Sequence, residues 1–347
     1  MLEDSATLLE VRSLKTYFPL MEGTVRAVDG VDFTIKRGQT VGIVGESGCG
    51  KSVTARSILR IVPPPGRIVK GKILYYRNIG DGDLSHSTEV IELTALNPRG
   101  KQIRDIRGAE IAMVFQEPMT SLSPVHTVGD QIMEVIMLHQ GLPKGEAKQR
   151  AIEMLNRVGM PQPEHMVTQY PHELSGGMRQ RAMIAMGLSC SPSLLIADEP
   201  TTALDVTTQA QILELLKELQ SDLGMAIMYI THDLGVIAEM ADEVIVMYLG
   251  MVVESADVVS VFHNALHPYT RALLKSIPRI GTKAKQRLDS IKGMLPDPYS
   301  LPRGCPFHPR CPSSIPGTCD REAPPVLEPE SGHQVRCHPY TIGGNRP

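Results

Sequence analysis

The stretch Gly45-Glu46-Ser47-Gly48-Cys49-Gly50-Lys51-Ser52 decides the fold, because it follows the apolar run Thr40-Val41-Gly42-Ile43-Val44 and precedes a helical pattern over residues 53–61. The spacing G-x-x-x-x-G-K-[ST] between a strand and a helix is that of a phosphate-binding loop. Glycines allow several backbone N–H groups to turn towards one anion, and the start of the helix adds partial positive charge. The residues predicted to contact a nucleotide here are Gly45, Ser47, Gly48, Cys49, Gly50, Lys51, Ser52 and Val53.

Two side chains of this loop have distinct predicted roles. Lys51 would reach the outer phosphates, and the Ser52 hydroxyl would help to coordinate a Mg²⁺ ion that bridges them. A motif of this length can also arise by chance. If the loop does bind a nucleotide, the rest of the chain should supply a carboxylate for magnesium, a group that activates water and a group that senses the terminal phosphate.

Length and charge narrow the class of protein. The 347 residues, 42% of them hydrophobic, suffice for a nucleotide-binding domain and a smaller appendage. A net charge of -3 argues against a nucleic-acid partner, which would call for a basic excess. No window approaches the roughly eighteen apolar residues of a spanning helix, and the acidic start Met1-Leu2-Glu3-Asp4-Ser5 is unlike a signal peptide. We expect a cytosolic protein that touches a membrane only through a partner.

Polar side chains follow three predicted strands. Gln116 follows the run 111–115, Asp198 and Glu199 follow 194–197, and His232 follows 225–230. The carboxyl ends of such strands form the ligand-binding edge of open α/β sheets. Gln116 and Asp198 offer oxygens to Mg²⁺, Glu199 can polarise a water, and His232 can donate to a phosphate oxygen. The alternative is a surface turn, a solvated acid pair and a structural histidine, and the phosphate loop favours the functional interpretation.

A second anion site is indicated by Leu174-Ser175-Gly176-Gly177-Met178, which opens a helical pattern over residues 178–188. Free N–H groups at a helix start attract anions in the same way as the first loop. A common glycine turn is the alternative, and Arg179 and Arg181 just inside the helix argue against it.

The remaining pattern is assigned coarsely. Short strands are predicted over residues 8–44, a hairpin from 71–76 and 89–93, and helices over 127–190. Tyr17 and Phe18 stand out in a region with few aromatics, and either could stack on an adenine ring or simply pack.

Taken in order, these motifs resemble those of the ATP-binding-cassette (ABC) ATPases over about residues 8–260. The resemblance implies an α/β fold: a P-loop NTPase (RecA-like) core sheet with an antiparallel β subdomain, an inserted α-helical subdomain and a small cysteine-rich C-terminal extension. It places a nucleotide-binding domain at residues 1–262, with the helical subdomain at about 117–188, and the extension at 263–347.

In that family two such domains pack head to tail, and each completes the other's ATP site. The resemblance implies that Glu199 is the general base, that His232 is the switch residue and that Gln116 acts with them on the ATP of the same chain. Magnesium would be held through Ser52, Gln116 and Asp198. The signature residues that serve the partner's nucleotide would be Ser175, Gly176, Gly177 and Asp205.

A finer resemblance is to the oligopeptide, dipeptide and nickel importer ATPases. It rests on residues 115–124, on 197–206, on His267-Pro268-Tyr269-Thr270-Arg271-Ala272-Leu273-Leu274 and on the cysteine tail. The implied partners are a second ABC ATPase that is a related but different chain, two transmembrane permeases and, indirectly, an extracellular solute-binding protein. The implied location is peripheral, on the cytoplasmic face of the plasma or inner membrane.

Four cysteines in the tail, Cys305, Cys311, Cys319 and Cys337, have the spacing C-x5-C-x7-C-x17-C. Four thiolates suit tetrahedral zinc or a [4Fe–4S] cluster. Zinc sites favour close C-x2-4-C pairs, which the tail lacks, so the spacing and the resemblance both favour the cluster. The alternative is a loop-rich tail with free thiols.

Two functions of different class remain. The first is an ATP-hydrolysing importer subunit for peptides or similar small solutes. The alternative is a soluble ABC ATPase acting on ribosomes, DNA or cluster assembly, against which stand the single cassette, the absence of a basic excess and the tail. A scaffold without catalysis is disfavoured because Glu199 and His232 are both present.

Overall fold

The computed structural model describes residues 6–79, 87–116, 121–202, 204–277, 291 and 293–340. The chain divides into two compact units, each built from separate segments. We name the phosphate-loop unit (residues 10–34, 40–74 and 230–347) and the signature unit (residues 1–9, 35–39 and 75–229) after the motifs that they carry.

Two long strands open the chain and belong largely to the phosphate-loop unit. They are β1 (Thr7–Leu20) and β2 (Gly23–Lys36), and β1 lies between β2 and the later strand Arg67–Ile79. The sequence predicts short strands here, but each has 14 residues. The two strands are neighbours in one sheet, and ladder hydrogen bonds of this kind can stabilise polar positions that look like breaks in the sequence.

The second sheet of this unit is centred on β3 (Thr40–Val44), in which every residue is buried. Such uninterrupted burial is typical of a strand covered on both faces. The helix after it, α1 (Lys51–Ile58), begins directly at Lys51, two residues before the start predicted from the sequence.

The fourth strand and the hairpin that follows it agree with the sequence. β4 (Arg67–Ile79) is the neighbour of β5 (Ser87–Glu92), as predicted from the runs 71–76 and 89–93.

The signature unit contains a short helix α2 (Lys101–Ile106) and the parallel strands β6 (Ile111–Val114) and β7 (Leu194–Asp198). Within the described residues, four α-helices come between these strands and confirm the helical prediction for residues 127–190. They are α3 (Val128–Gln140), α4 (Lys144–Arg157), α5 (Pro163–Met166) and α6 (Gly176–Leu188).

The last elements of this unit are α7 (Val206–Leu223) and β8 (Ala226–Ile230), which neighbours β7. Helix α7 carries apolar residues at the spacing i, i+3, i+4 and i+7, a pattern typical of a core-facing stripe, and all four are buried: Ile212, Leu215, Leu216 and Leu219. The helix ends where Gly224 adopts the left-handed conformation that favours glycine.

The rest of the phosphate-loop unit extends its sheet. A helix α8 (Leu234–Met240) leads to β9 (Glu243–Tyr248), which runs parallel to β3, and β10 (Met251–Asp257) returns antiparallel to β9. The helices α9 (Val258–Asn264) and α10 (Pro268–Lys275) follow.

The final two strands belong to the same sheet. β12 (His333–Val335) pairs antiparallel with β10, and β11 (Leu327–Glu330) pairs with β12. The prediction of a small cysteine-rich C-terminal extension is therefore not supported, because this part of the chain adds strands to the sheet that carries the phosphate loop.

No helix within the described residues is long and apolar enough to span a membrane.

Candidate nucleotide-binding site

The phosphate loop turns sharply at three glycines with positive φ: Gly45 at 151°, Gly48 at 78° and Gly50 at 102°. At two of them a side chain has no space. A Cβ on Gly45 would lie 2.2 Å from the Met247 carbonyl oxygen, and one on Gly50 would lie 2.1 Å from that of Ala27. Because β9 and β2 pack this tightly against the loop, Gly45 and Gly50 are required for packing as well as for backbone conformation.

Lys51 is almost completely buried, with 5% of its surface exposed. Its ammonium nitrogen Nζ donates to the carbonyl oxygen of Gly45 at 2.8 Å and to that of Glu46 at 3.2 Å. The ammonium group thus lies inside the turn of the loop. Ser52 and Val53 form the first turn of α1, where backbone N–H groups have no partners within the helix.

Glu46 is held by the C-terminal part of the chain. Its backbone N–H donates to the Tyr269 hydroxyl at 2.8 Å. Its carboxylate accepts from both guanidinium nitrogens of Arg310, at 2.7 and 3.0 Å. The sequence analysis missed these contacts, and no local pattern could reveal them, because Glu46 and Arg310 are 264 positions apart.

Tyr17 and Phe18 lie on opposite faces of β1 and differ in their surroundings. The Tyr17 hydroxyl donates to Asp29 Oδ1 at 2.8 Å, and Arg26 lies over its ring. Burial and then this hydrogen bond raise the pKa of Tyr17. Phe18 shares its face with Thr16, whose hydroxyl bonds to Ser57 on α1 at 2.8 Å.

Phe18 therefore lies on the side of the strand nearer to the phosphate-loop helix, and its ring packs on Gly66, where a Cβ would come within 2.4 Å of it. The sequence leaves open which of the two aromatics stacks on adenine. In the structure Tyr17 is held by a hydrogen bond to Asp29, whereas the Phe18 ring packs on Gly66.

His232 lies two residues beyond β8 and is exposed. The preceding residue fixes its place, because the Thr231 N–H donates to the Ile43 carbonyl oxygen at 3.2 Å. Ile43 is next to the last residue of β3. His232 therefore follows a segment bonded to the end of the strand that leads into the phosphate loop, as predicted from the sequence.

In the signature unit, Gln116, Asp198 and Glu199 lie together. Val114 on β6 is opposite Ala197 on β7, so the two strands end side by side. The Gln116 amide nitrogen donates to Glu199 Oε2 at 3.1 Å, and the Thr202 hydroxyl donates to the same oxygen at 3.0 Å. Asp198 is buried, with 2% exposed. The structure thus places the predicted magnesium carboxylate beside the predicted general base.

The signature residues lie next to Asp205. Ser175 caps α6 by accepting the Met178 N–H at 3.3 Å, and Asp205 caps α7 by accepting the Thr208 N–H at 3.0 Å. A Cβ on Gly177 would lie 2.8 Å from Thr208 Cγ2, so the two helix starts are in contact. Ser175, Gly176 and Asp205 are exposed. Hydrogen bonds from Thr208 lower the pKa of Asp205. The exposed caps keep the free N–H groups of α6 near the surface.

The four cysteines of the tail are free thiols, three of them buried and Cys311 half-buried. Burial, and then the other cysteines, raise the pKa of Cys305 to about 11 and that of Cys337 to about 12. In the part of the chain that the structure describes, no group of three or more His, Cys, Asp and Glu side chains is arranged to hold a metal ion. The predicted iron–sulfur site is thus not supported by the positions of these thiols.

Comparison with known families identifies the class. Residues 28–202 match the family model described as ABC transporter. Residues 253–319 match the model described as oligopeptide/dipeptide transporter, C-terminal region. The chain belongs to the ABC transporter family and is an ATPase subunit of that family, which confirms the resemblance predicted from the sequence.

Individual relatives are similar over nearly the whole chain. The oligopeptide transport ATP-binding protein AppD of Bacillus subtilis is 52% identical over 340 residues, which are 98% of each chain. The dipeptide transport ATP-binding protein DppD of Escherichia coli is 47% identical over 98% of this chain and 99% of its own.

Among solved structures, the dimeric ATP-binding cassette MJ0796 in a post-hydrolysis state bound to ADP and Pi covers 72% of this chain and 99% of its own. It has a TM-score of 0.61 and 26% identity to this chain. This similarity confirms the predicted α/β ATPase fold. The domain boundary at residues 262 and 263 and the roles of the individual site residues remain predictions.

Proposed function

We propose that this chain is the ATP-hydrolysing subunit of an importer that takes up peptides or similar small solutes through membrane permeases. The observation that carries the proposal is the similarity to two peptide-transport proteins along almost the full chain. It includes the match of residues 253–319 to a C-terminal region described for oligopeptide and dipeptide transporters. The fold of a cassette alone would support ATP hydrolysis without supporting this class of solute.

ATP would be held by the phosphate loop. The inward N–H groups of the glycine turns and the start of α1 would bind the phosphates, and the buried Lys51 ammonium would neutralise their charge. The dry surroundings of Lys51 support this role, because charge interactions are stronger away from water. Phe18 would stack on the adenine ring, since the Tyr17 hydroxyl is bonded to Asp29.

Hydrolysis needs a water that is held and polarised. The Glu199 carboxylate would accept a proton from that water, and the Gln116 amide and the Thr202 hydroxyl would fix the orientation of its Oε2. His232 would donate to a terminal phosphate oxygen and so register whether that phosphate is present. Each role follows from the family's motif at that position, and the role of Glu199 is also supported by the hydrogen bonds that its carboxylate accepts.

Magnesium fits the donors available. Ser52, Gln116 and Asp198 offer hydroxyl, amide and carboxylate oxygens, the ligand types that Mg²⁺ prefers. The Gln116 amide nitrogen is bonded to Glu199, which leaves its amide oxygen as the acceptor. The ion would neutralise charge on the phosphates when bound.

The signature residues would serve the nucleotide of a second cassette. Ser175, Gly176 and Asp205 are exposed at helix starts, where N–H groups and the helix dipole favour an anion. The dimeric state of the cassette MJ0796 supports this arrangement by analogy. We propose that the second cassette is a related but different chain and that both lie against two permeases on the cytoplasmic face of the membrane, with an extracellular binding protein as an indirect partner.

A [4Fe–4S] cluster held by Cys305, Cys311, Cys319 and Cys337 is proposed for the tail, with zinc as the other occupant. The mutual influence of these thiols on the pKa values of Cys305 and Cys337 indicates that all four are close enough to interact. Deprotonating four neighbouring thiols, three of them buried, is costly unless bound metal compensates the charge.

The cluster proposal is tested by purifying the protein without oxygen and measuring its iron, zinc and sulfide contents. We expect iron and sulfide in equal amounts, lost together in Cys305→Ser. Stoichiometric zinc would replace the cluster with a zinc site, and a metal-free protein would leave only free thiols.

The partners are tested by isolating the tagged chain from its native cells in mild detergent and identifying the proteins that come with it. Two permeases and a second cassette ATPase are the expected companions. Recovery of the chain alone, or with ribosomal or DNA-bound factors, would contradict the transporter assignment and support the soluble alternative.

A further inference from the structure

The phosphate loop is restrained by a group of side chains far along the chain, which we call the C-terminal clamp: Tyr269, Phe307 and Arg310. Tyr269 accepts the Glu46 N–H at 2.8 Å. Arg310 donates to both Glu46 carboxylate oxygens, at 2.7 and 3.0 Å. Two-pronged arginine–carboxylate pairs of this kind fix orientation as well as position. Glu46 is thus held through both its backbone and its side chain.

The clamp itself has little freedom to move. Tyr269 and Phe307 are buried, with 0% and 1% exposed, and the Arg310 side chain is 5% exposed. The ring of Phe307 meets that of Tyr269 at 5.4 Å and that of Tyr248 at 5.3 Å, both edge to face. Arg310 also donates to the Tyr248 hydroxyl at 3.3 Å. Closely packed aromatic side chains have few alternative rotamers, so the clamp can hold Glu46 firmly.

Glu46 connects the clamp to the lysine of the loop. Its carbonyl oxygen accepts from Lys51 Nζ at 3.2 Å, while its N–H and its carboxylate are bonded to the clamp. A shift of Glu46 would therefore move one of the two carbonyl partners of Lys51. The clamp acts on the lysine through this residue and does not touch it directly.

Two of the three clamp residues also lie within the cysteine-bearing part of the tail. Phe307 and Arg310 come between Cys305 and Cys311 in sequence. The Cys305 N–H donates to the Cys319 carbonyl oxygen at 2.8 Å, and the Arg310 N–H donates to that of Phe307 at 3.0 Å. A change in the conformation of this cysteine segment would therefore displace the residues that hold Glu46.

We propose that Arg310 and Tyr269 are positioning residues for the phosphate loop, through which the cysteine-bearing segment sets the affinity of this chain for nucleotide. This inference rests on the proposed function in one respect, namely that the loop binds ATP. It assigns to the tail an effect on ATP binding that is separate from any effect on the hydrolysis step.

The first test is a double-mutant cycle of Arg310→Gln and Glu46→Gln, read as the KM for ATP and as kcat. We expect each single change to raise KM about tenfold, since a hydrogen bond to a charged group is lost, with kcat at saturating ATP changed less than about twofold. The double variant should be no worse than either single one, because both remove the same interaction. Arg303→Gln, an exposed arginine of the same segment, is the matched control and should behave as wild type.

Additive effects in the cycle, or an unchanged KM in Arg310→Gln, would overturn the proposal. Arg310→Lys adds a further check, because it keeps the charge and should restore part of the affinity. A general loss of folding would instead lower the yield and melting temperature of the variant without separating KM from kcat.

The second test does not depend on ATP. Tyr269→Phe keeps the ring and removes the acceptor of the Glu46 N–H, so amide hydrogen exchange across residues 45–52 should become faster than in wild type, with Arg303→Gln unchanged. Equal exchange in wild type and Tyr269→Phe would contradict the restraint. A wild-type protein that fails to bind ATP would overturn the proposed function alone, because the exchange experiment still decides whether the clamp restrains the loop.

Discussion

Glu199 is held in a backbone conformation that non-glycine residues rarely adopt, with φ at 49°. Such a conformation costs about 1 kcal/mol or more and persists where the surroundings enforce it. Here the Gln116 amide and the Thr202 hydroxyl both bond to the carboxylate. We expect Glu199→Gln to bind ATP while its kcat falls about 100-fold or more, because an amide cannot accept the proton of the attacking water.

Steady-state hydrolysis and equilibrium ATP binding, measured on the same preparation, check this expectation. Glu214→Gln changes an exposed glutamate of the same unit and should leave both unaltered. Hydrolysis by Glu199→Gln at the wild-type rate would remove Glu199 from the role of general base.

The aromatic pair of β1 gives a second expectation at this scale. Phe18→Ala should raise the KM for ATP about tenfold, since stacking on a base contributes about 1–3 kcal/mol. Tyr17→Phe should leave this KM unchanged, because it removes only the hydrogen bond to Asp29. Comparing ATP with a triphosphate that lacks the base would show whether the loss concerns adenine. The opposite pattern, with Tyr17→Leu weakening ATP and Phe18→Ala silent, would assign the stacking role to Tyr17.

At the scale of residues, the sequence predicts what local motifs encode. Lys51, Ser175 and Glu199 stand in short patterns whose chemistry follows from spacing, and the structure places each at the expected end of a strand or helix. Arg310 and Tyr269 carry no such pattern. Their contacts with Glu46 depend on how distant segments pack, which a local motif does not contain.

Among the elements, α10 has an unusual N-cap. His267 is buried, with 1% exposed, and its ring Nδ1 accepts the Tyr269 N–H at 3.0 Å. An accepting Nδ1 requires a ring that is not doubly protonated. Burial lowers the pKa of His267 to about 4, with the charge of Glu254 acting in the opposite direction.

The stability of the protein should depend on pH through this cap. In the unfolded chain the imidazole takes up a proton below its ordinary pKa of about 6.5, whereas in the folded protein it does so only near 4. The unfolded state therefore binds more protons in this window, and the free energy of unfolding should fall as the pH is lowered from about 6.5 to about 4, by up to about 1.4 kcal/mol per pH unit from this group.

This contribution is measured by denaturant unfolding at a series of pH values from about 4 to about 7, which cover the window given above. His267→Asn keeps a capping oxygen that does not titrate, so its stability should depend less steeply on pH than that of wild type. His263→Asn, which changes an exposed histidine of α9, serves as the control. Identical slopes in wild type and His267→Asn would show that the His267 ring does not govern this dependence.

The sequence predicts most elements of the core but not how the tail joins the sheet. Uninterrupted apolar runs such as 194–197 and 225–230 predict strands, and the structure contains the fully buried strands β7 and β8 there. The apolar stripe of α7 indicates which face of that helix is buried. β12 is short, and the attachment of the tail to the sheet depends on the buried carboxylate of Glu254. This carboxylate accepts hydrogen bonds from His333 at 2.7 Å and from the Leu266 and His267 N–H groups. Burial raises the pKa of Glu254, and these bonds outweigh it and lower the pKa overall. A glutamate in a sequence does not by itself indicate that its carboxylate is buried and bonded to distant segments of the chain.

At the scale of the whole molecule, the residues proposed for ATP chemistry and those proposed to restrain the phosphate loop are far apart in the sequence of one chain. The phosphate-loop unit contains the loop, the adenine-stacking candidate, the proposed switch histidine and the clamp. The signature unit contains the proposed general base and the exposed helix starts proposed to serve a second cassette.

The most direct measurement of the central claim is the uptake of labelled di- and oligopeptides by cells that lack this chain and are supplied with wild type, Glu199→Gln or the Glu214→Gln control. Expression levels of the three proteins would be matched by immunoblot. We expect wild type and Glu214→Gln to restore uptake and Glu199→Gln to leave it at the level of the deletion strain. Peptide uptake that is the same with and without the chain, or that Glu199→Gln restores in full, would contradict the claim that ATP hydrolysis by this protein drives peptide import.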